Sequence, residues 1–310
     1  MTLYPPDLAY ELVNPPLLPG QGFRFGRGTR VHVEKSTIGD PDKRSDDQPL
    51  ARQDGILMGR DYVNGRNIQF DINIKTRSSV ELPTAIDLWR HMSQAWLTED
   101  TMVGPSRTQP GVLSELYITD GDRTYVTYGR PTNCQDTRGT RRRGWIPVTA
   151  DFRTVTHKFY EAQWQSNTIT TAPDTSTGWE WPIQFPLTSI ATFSEEDIVV
   201  VEGNTDTWML STVWGPILAP EIEVVGYYKI TTAPDFSLGP FEYLEIDPRP
   251  WNRRIMKNGT INVAGRFTQA SRRPSVQTLP PGTHKIVLRG IDTTGTARLE
   301  TRWRNAWTTI

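Results

Sequence analysis

"ARQDGILMGRDYVNGRNIQFDINIK", residues 51–75, decides how the chain is read. Its second half alternates without exception. Ile68, Phe70, Ile72 and Ile74 fall on one side, and Gln69, Asp71, Asn73 and Lys75 on the other. That period of 2 predicts a β-strand from Ile68 to Lys75 with its isoleucines buried. The first half is acidic and glycine-rich, so it is either a ligand loop or the bend that feeds the strand. A calcium loop needs oxygen ligands at alternate positions and a closing bidentate Glu. Asp54 is instead followed by Gly-Ile-Leu-Met-Gly-Arg, with no Glu at the far end. A phosphate cradle needs a helix N-terminus after its glycines, and here a strand follows. The stretch therefore reads as geometry. Gly55, Gly59 and Gly65 permit turns with positive φ, and aspartates such as Asp54 bond nearby backbone.

Outward from this strand, residues 36–53 form a polar, charged loop. "FRFGRGTRVHVEK" (23–35) predicts a short strand pair around a glycine bend, and the Pro-rich first 20 residues read as an extended arm. On the other side, "LPTAIDLWRHMSQAWLTED" (82–100) is the one convincing helix. Ala85, Leu88, Trp89, Met92, Ala95 and Trp96 recur at spacings of 3 and 4, so their stripe is expected to lie on a sheet. Pro83 suits the helix entrance. "LYITDGDRTYVTYGRP" (116–131) predicts a hairpin turning at Asp120-Gly121. "WIPVTADFRTVTHKFYEA" (145–162) adds one or two strands.

The chain has 310 residues, enough for two domains. We place a first domain at 1–162, a Trp- and Pro-rich connector at 163–193, and a second domain at 194–310. The second reads as strand throughout. It holds "TWMLSTVWGPILAPEIEVV" (207–225), "FEYLEIDP" (241–248), an Asn-Gly hairpin in "MKNGTINV" (256–263), "HKIVLRGI" (284–291) and "ARLETRWRNAW" (297–307). In the last, Ala297, Leu299, Thr301 and Trp303 oppose Arg298, Glu300, Arg302 and Arg304. Short strands separated by turn signals predict a β-sandwich, so the fold class is mainly β.

Few sites of chemistry survive inspection. The four histidines, His32, His91, His157 and His284, stand at no metal-binding spacing and read as packed or surface residues. Cys134 is the only cysteine, so no intrachain disulfide forms, which fits folding in a reducing cytoplasm. No signature marks it as a nucleophile. "GRGTR" (26–30) is no nucleotide motif. "DTRGTRRRG" (136–144) is a basic run that reads as a solvated or ion-pairing loop. "SEEDIVVVEG" (194–203) reads as a solvated turn ahead of a strand rather than a glycosidase carboxylate pair. Trp179 and Trp181 could stack on sugars, but with Phe185 they read better as a domain seam. Net charge is −1, so no global field recruits nucleic acid or an anionic membrane. The start lacks a signal-peptide pattern and no apolar run approaches a membrane helix, so a soluble, non-exported protein is expected. The residues alone give a two-domain, β-rich interaction protein with no catalytic site, metal or cofactor.

The order of segments resembles the distal tail proteins of siphovirus-type phages, called minor tail proteins in phages of actinobacteria. Four stretches carry the likeness: residues 51–74 with their Asp-Gly turn and long strand; "YGRPTNC" (128–134); "GWEWPIQFPL" (178–187), with Trp where Phe is commoner; and the series "VEGNTDTW", "WGPILAPEI", "LEIDP", "LPPGTHKIVL" and "RWRNAW". In "LPPGTHKIVL", Pro281 and Gly282 are turn residues. The resemblance implies a structural, non-enzymatic protein of the virion tail tip, assembled in the host cytoplasm. It implies an N-terminal tube-like β-barrel or sandwich with one packed helix, closing as a sixfold homo-oligomeric ring around the DNA channel. A galectin-like β-sandwich would sit at its periphery. The implied partners are the tail tube protein and the tail-tip hub protein, with the tape measure protein and receptor-binding proteins as further ones; DNA is passing cargo. The charged loop 34–53 departs from the pattern and is expected to contact a neighbouring subunit or tail-tip protein. The alternative is a carbohydrate-binding tail protein that recognises host cell-wall glycan.

Overall fold

A computed structural model of the chain describes residues 2–3, 8–15, 17–76, 82–97, 113–136, 145–171, 192–292 and 294–310. The fold is mainly β, with one α-helix among the described residues. Two compact units divide it. The first comprises Met1–Ala162 and Trp307–Ile310; the second is Gln163–Ala306, inserted between those stretches.

In the first unit one antiparallel sheet runs in the order Val31–Ile38, Asn67–Lys75, Trp145–Thr154, Arg123–Asp136, Ser114–Asp120, Leu8–Val13, Phe23–Gly26. Thr2–Leu3 pairs on the outer edge of Val31–Ile38, and Phe23–Gly26 and Val31–Ile38, consecutive among these strands, lie against each other, so the sheet curls toward closure. The alternating strand sits inside it. Ile68, Phe70 and Ile74 are fully buried and Ile72 nearly so, in register with Phe152, Ala150, Ile146 and Val148 of the neighbouring strand. The hairpin turns at Gly121, whose φ is +59°.

The helix Leu82–Leu97 lays its apolar stripe on this core. Ala85 and Met92 are fully buried, Trp96 is nearly so, and Leu88 and Trp89 pack partly buried beside them. Two side-chain bonds fix its last turn. The Trp96 indole N–H donates to the Asp151 carbonyl at 3.1 Å, and the Asn14 amide donates to the Ala95 carbonyl at 2.7 Å. Trp96 closes an aromatic cluster with Phe25 and Phe70, at 5.5 Å and 6.5 Å between centroids. Tyr10 joins the cluster, stacked on Phe25 at 5.1 Å. Its hydroxyl donates to Ser36 at 2.9 Å, and burial pushes its pKa up to about 12.

The second unit is built from two antiparallel sheets over one apolar cluster. One runs Gln165–Thr170, Arg298–Trp303, Thr207–Trp214, Tyr243–Asp247, Arg254–Lys257, Ile261–Asn262. The other runs Thr192–Val201, Gly282–Ile291, Ile217–Val224, Tyr228–Thr231. Val213, Leu244 and Leu299 of the first sheet and Val224, Ile286 and Leu288 of the second share the core. The Asn258-Gly259 turn forms with both residues left-handed, at φ +53° and +67°, and Thr260 completes the loop between the paired Lys257 and Ile261.

Several local expectations need correction. Leu8–Val13 is an interior strand, not an extended arm; Leu8, Tyr10 and Leu12 alternate inward between the prolines. Phe23–Gly26 and Val31–Ile38 do not pair as a hairpin, because each takes a different partner strand. Gln165–Thr170 is a strand paired with Arg298–Trp303, not connector. Residues 194–197 lie inside the strand Thr192–Val201 rather than in a turn, with Glu196 bound to Lys285 at 2.5 Å. Arg304 is buried rather than solvent-facing, its guanidinium 4.4 Å from the Trp164 ring centre. Trp179, Trp181 and Phe185, and residues 137–144 of the basic run, lie outside the described residues.

Candidate assembly surface

Residues 42–64 fold as an arm. Lys43–Ser45 pairs with Asp61–Val63, and Gln48–Pro49 with Ile56–Leu57. Backbone bonds continue the ribbon at both ends: Asn64 N–H donates to the Asp42 carbonyl at 2.8 Å, and Leu50 N–H to the Gly55 carbonyl at 3.2 Å. The polar loop expected over 36–53 is therefore half of a two-stranded ribbon. Gly55 takes φ +126° at its tip. Gly59 and Gly65 are needed for another reason than the positive φ expected of them. A Cβ on Gly59 would lie 2.2 Å from the Asp46 carbonyl oxygen, and one on Gly65 1.8 Å from that of Thr154. Both glycines let two strands approach. Asp47, not the expected Asp54, accepts from the Gly59 N–H at 2.8 Å.

Every residue from 42 to 64 is exposed. Ile56 and Leu57 are each 60% exposed and Met58 is 79% exposed, while Leu50, Tyr62 and Val63 add further open apolar surface. The Arg44 and Arg60 guanidiniums flank the Tyr62 ring at 5.0 Å and 5.5 Å, a cation–π pair that stiffens the ribbon's base. A two-stranded ribbon is marginal alone in water, and its free edges and apolar side chains invite a partner. Strands of this length reach roughly 30–35 Å when fully extended. Sequence reading missed Ile56, Leu57 and Met58 by weighing the glycines. The available signal was an apolar triplet set between charged residues.

The other sequence-named residues offer less. Pro281 and Gly282 form the bend into the strand Gly282–Ile291, Gly282 at φ +137°. His284 is buried, with Nε2 2.7 Å from the Pro280 carbonyl, whereas His32 and His91 are exposed. Cys134 is half-buried, and burial pushes its thiol up to about 12, which keeps it protonated and unreactive at neutral pH. Among the described residues no group of three or more His, Cys, Asp or Glu side chains could hold a metal ion. No helix among them is long and apolar enough to cross a membrane.

No protein-family model matches the sequence, and no curated protein matches it. Solved structures resemble it in fold. The Dit protein of phage SPP1, described as a paradigm of the hub adsorption apparatus in phages infecting Gram-positive bacteria, superposes with a TM-score of 0.54 at 12% identity. The match covers 96% of this chain and 98% of that one. Chains of the phage P2 baseplate in its activated conformation match at TM-scores of 0.50 with calcium and 0.51 with strontium. Their identities are 11% and 10%, and each match covers 95% of this chain and 97% of the other.

Proposed function

We propose that this chain is a structural component of a phage tail tip. Copies of its first unit close into a ring, sixfold as the sequence resemblance implies, that joins the tail tube to the hub and surrounds the DNA channel. The observation that carries the reading is the exposed arm of residues 42–64, which presents a run of apolar side chains and unpaired strand edges. Such an arm is stable when it lies on a second copy, and a repeated head-to-tail contact closes a ring. The likeness in fold to phage Dit and baseplate chains along nearly their whole length supports it. In this reading the second unit is a galectin-like peripheral domain and the partners are tail proteins of the same virion.

The test is native mass together with electron micrographs of the purified chain, alone and mixed with the tail tube and hub proteins of its phage. Closed hollow rings of identical copies are expected in at least one of these samples. A monomer in all of them would overturn the reading.

A further inference from the structure

We propose that the second unit carries a binding site for an anionic glycan, a saccharide polymer bearing phosphate or carboxylate groups. The proposal concerns this unit alone and does not depend on ring closure. The site is a groove of about 700 Å³ beside the segment 267–274, lined among others by Arg253, Arg254, Asn262, Gln269, Arg272 and Arg273. A second groove of about 700 Å³ lies on the other side of the same segment. It shares Gln269, Arg272 and Arg273 and adds Tyr227 and Lys229.

Charge sets the ligand class. Arg254 is taken up by Glu245 at 2.5 Å, and nearby Arg266 by Asp235 at 2.7 Å. Arg253, Arg272 and Arg273 have no carboxylate partner among the described residues, and no acidic side chain lines the first groove. The one acid of the second, Glu223, is bound to Arg289. Arg272 and Arg273 on the segment and Arg253 across the first groove leave three guanidiniums free to meet an anion. Their planar forks match phosphate and carboxylate oxygens in a bidentate way.

The wall is held before any ligand arrives. Thr268 N–H donates to the Thr231 carbonyl at 3.0 Å and Arg272 N–H to the Lys229 carbonyl at 2.9 Å. The Ser271 hydroxyl accepts from Thr231 N–H at 2.8 Å and donates to its carbonyl at 2.7 Å. The buried Gln277 amide donates to the Arg272 carbonyl at 2.8 Å. A backbone fixed on both sides lowers the ordering cost of binding.

The neighbouring groups suit sugar. Gln269 and Asn262 place amides beside the arginines, and Tyr227 stands 47% exposed with its ring braced edge-on against His284 at 4.8 Å. Two grooves along one wall suit a polymer better than a single ion. Ile255, Ala264, Phe267 and Pro274 also line the first groove, so apolar surface lies beside the arginines. The chain's net charge of −1 supplies no wider field for nucleic acid.

The experiment measures equilibrium binding of the full chain to a phosphodiester-linked saccharide polymer, a uronate polymer, neutral dextran and single-stranded DNA. Native mass is recorded on the same sample, so loss of ring and loss of binding are read separately. Binding to one or both anionic polymers is expected, weakening from about 50 to about 200 mM salt; which polymer binds tells phosphate from carboxylate. Arg272→Ala/Arg273→Ala is expected to lose about tenfold or more in affinity, and Lys285→Ala, outside the grooves, to change it little. Arg272→Lys/Arg273→Lys keeps the charge and the fold but loses the forks, and should weaken binding several-fold. The proposal is overturned if neither anionic polymer binds, if dextran or DNA binds as tightly, or if Lys285→Ala costs as much as the arginine changes.

Discussion

Two residues carry consequences that their neighbours in sequence do not announce. Gly65 looks like Gly55 on paper, yet only Gly55 needs its φ; Gly65 is pressed on the Thr154 backbone. The next residue, Arg66, donates its N–H to the Thr154 hydroxyl at 2.8 Å. Gly65→Ala should force these strands apart and lower stability by about 1–3 kcal/mol; an unchanged denaturant midpoint would refute the close approach. Asp292 is buried. Burial alone would raise its pKa, but hydrogen bonds from Ala297 N–H and the Thr171 hydroxyl, and from Thr294 N–H and hydroxyl, bring it down to about 2. An unfolded aspartate titrates near 3.9. Its stabilisation, on the order of 2–3 kcal/mol, is therefore complete above about pH 4 and lost as pH falls through about 2. Stability curves of the wild type and Asp292→Asn should converge as pH falls from about 4 to about 2; parallel curves would contradict the assignment. Neither role is legible in the sequence, because each depends on a partner brought in by the fold.

At the level of elements, legibility follows the strength of the period. The strand at Ile68 and the helix at Leu82–Leu97 have unbroken patterns, and both fold as read. Leu8–Val13 has the same period of 2 but sits between proline pairs, whose breaker signal masks its alternation. The arm escaped because a ribbon buried on neither face has no apolar alternation to show. Likewise the groove arginines come from two separate Arg-Arg pairs, at 253–254 and 272–273, that only the fold brings together. The arm's exposure gives a prediction. Leu57→Ser with Met58→Ser should leave thermal stability within about 0.5 kcal/mol of wild type while shifting native mass to the monomer. Unchanged oligomers after the substitution would dissociate the arm from assembly.

At the level of the whole molecule, two cores and one insertion organise the chain. Composition and turn spacing were enough to read a mainly β protein. They did not reveal that Trp307–Ile310 belongs to the first unit, since sequence distance hides that return. Trp307 and Ile310 pack on the first core. The Trp307 indole N–H donates to Glu161 at 3.2 Å, and the buried Arg66 guanidinium donates to the Thr308 carbonyl at 2.8 Å. A chain stopped after Ala306 should therefore lose up to about 3–5 kcal/mol in the first unit and little in the second. Hydrogen exchange at the Ile74 and Leu288 amides separates the two; equal loss of protection at both would contradict it.

That return also sets a clock on the ribosome. The strands of the first unit leave the exit tunnel early, but the buried Arg66 waits for the Thr308 carbonyl until the whole of Gln163–Ala306 has been translated. At about 5–20 residues per second the wait is roughly 7–30 s. Until then the first unit lacks the Thr308 bond to Arg66, the Trp307 bond to Glu161 and the packing of Trp307 and Ile310 on its core.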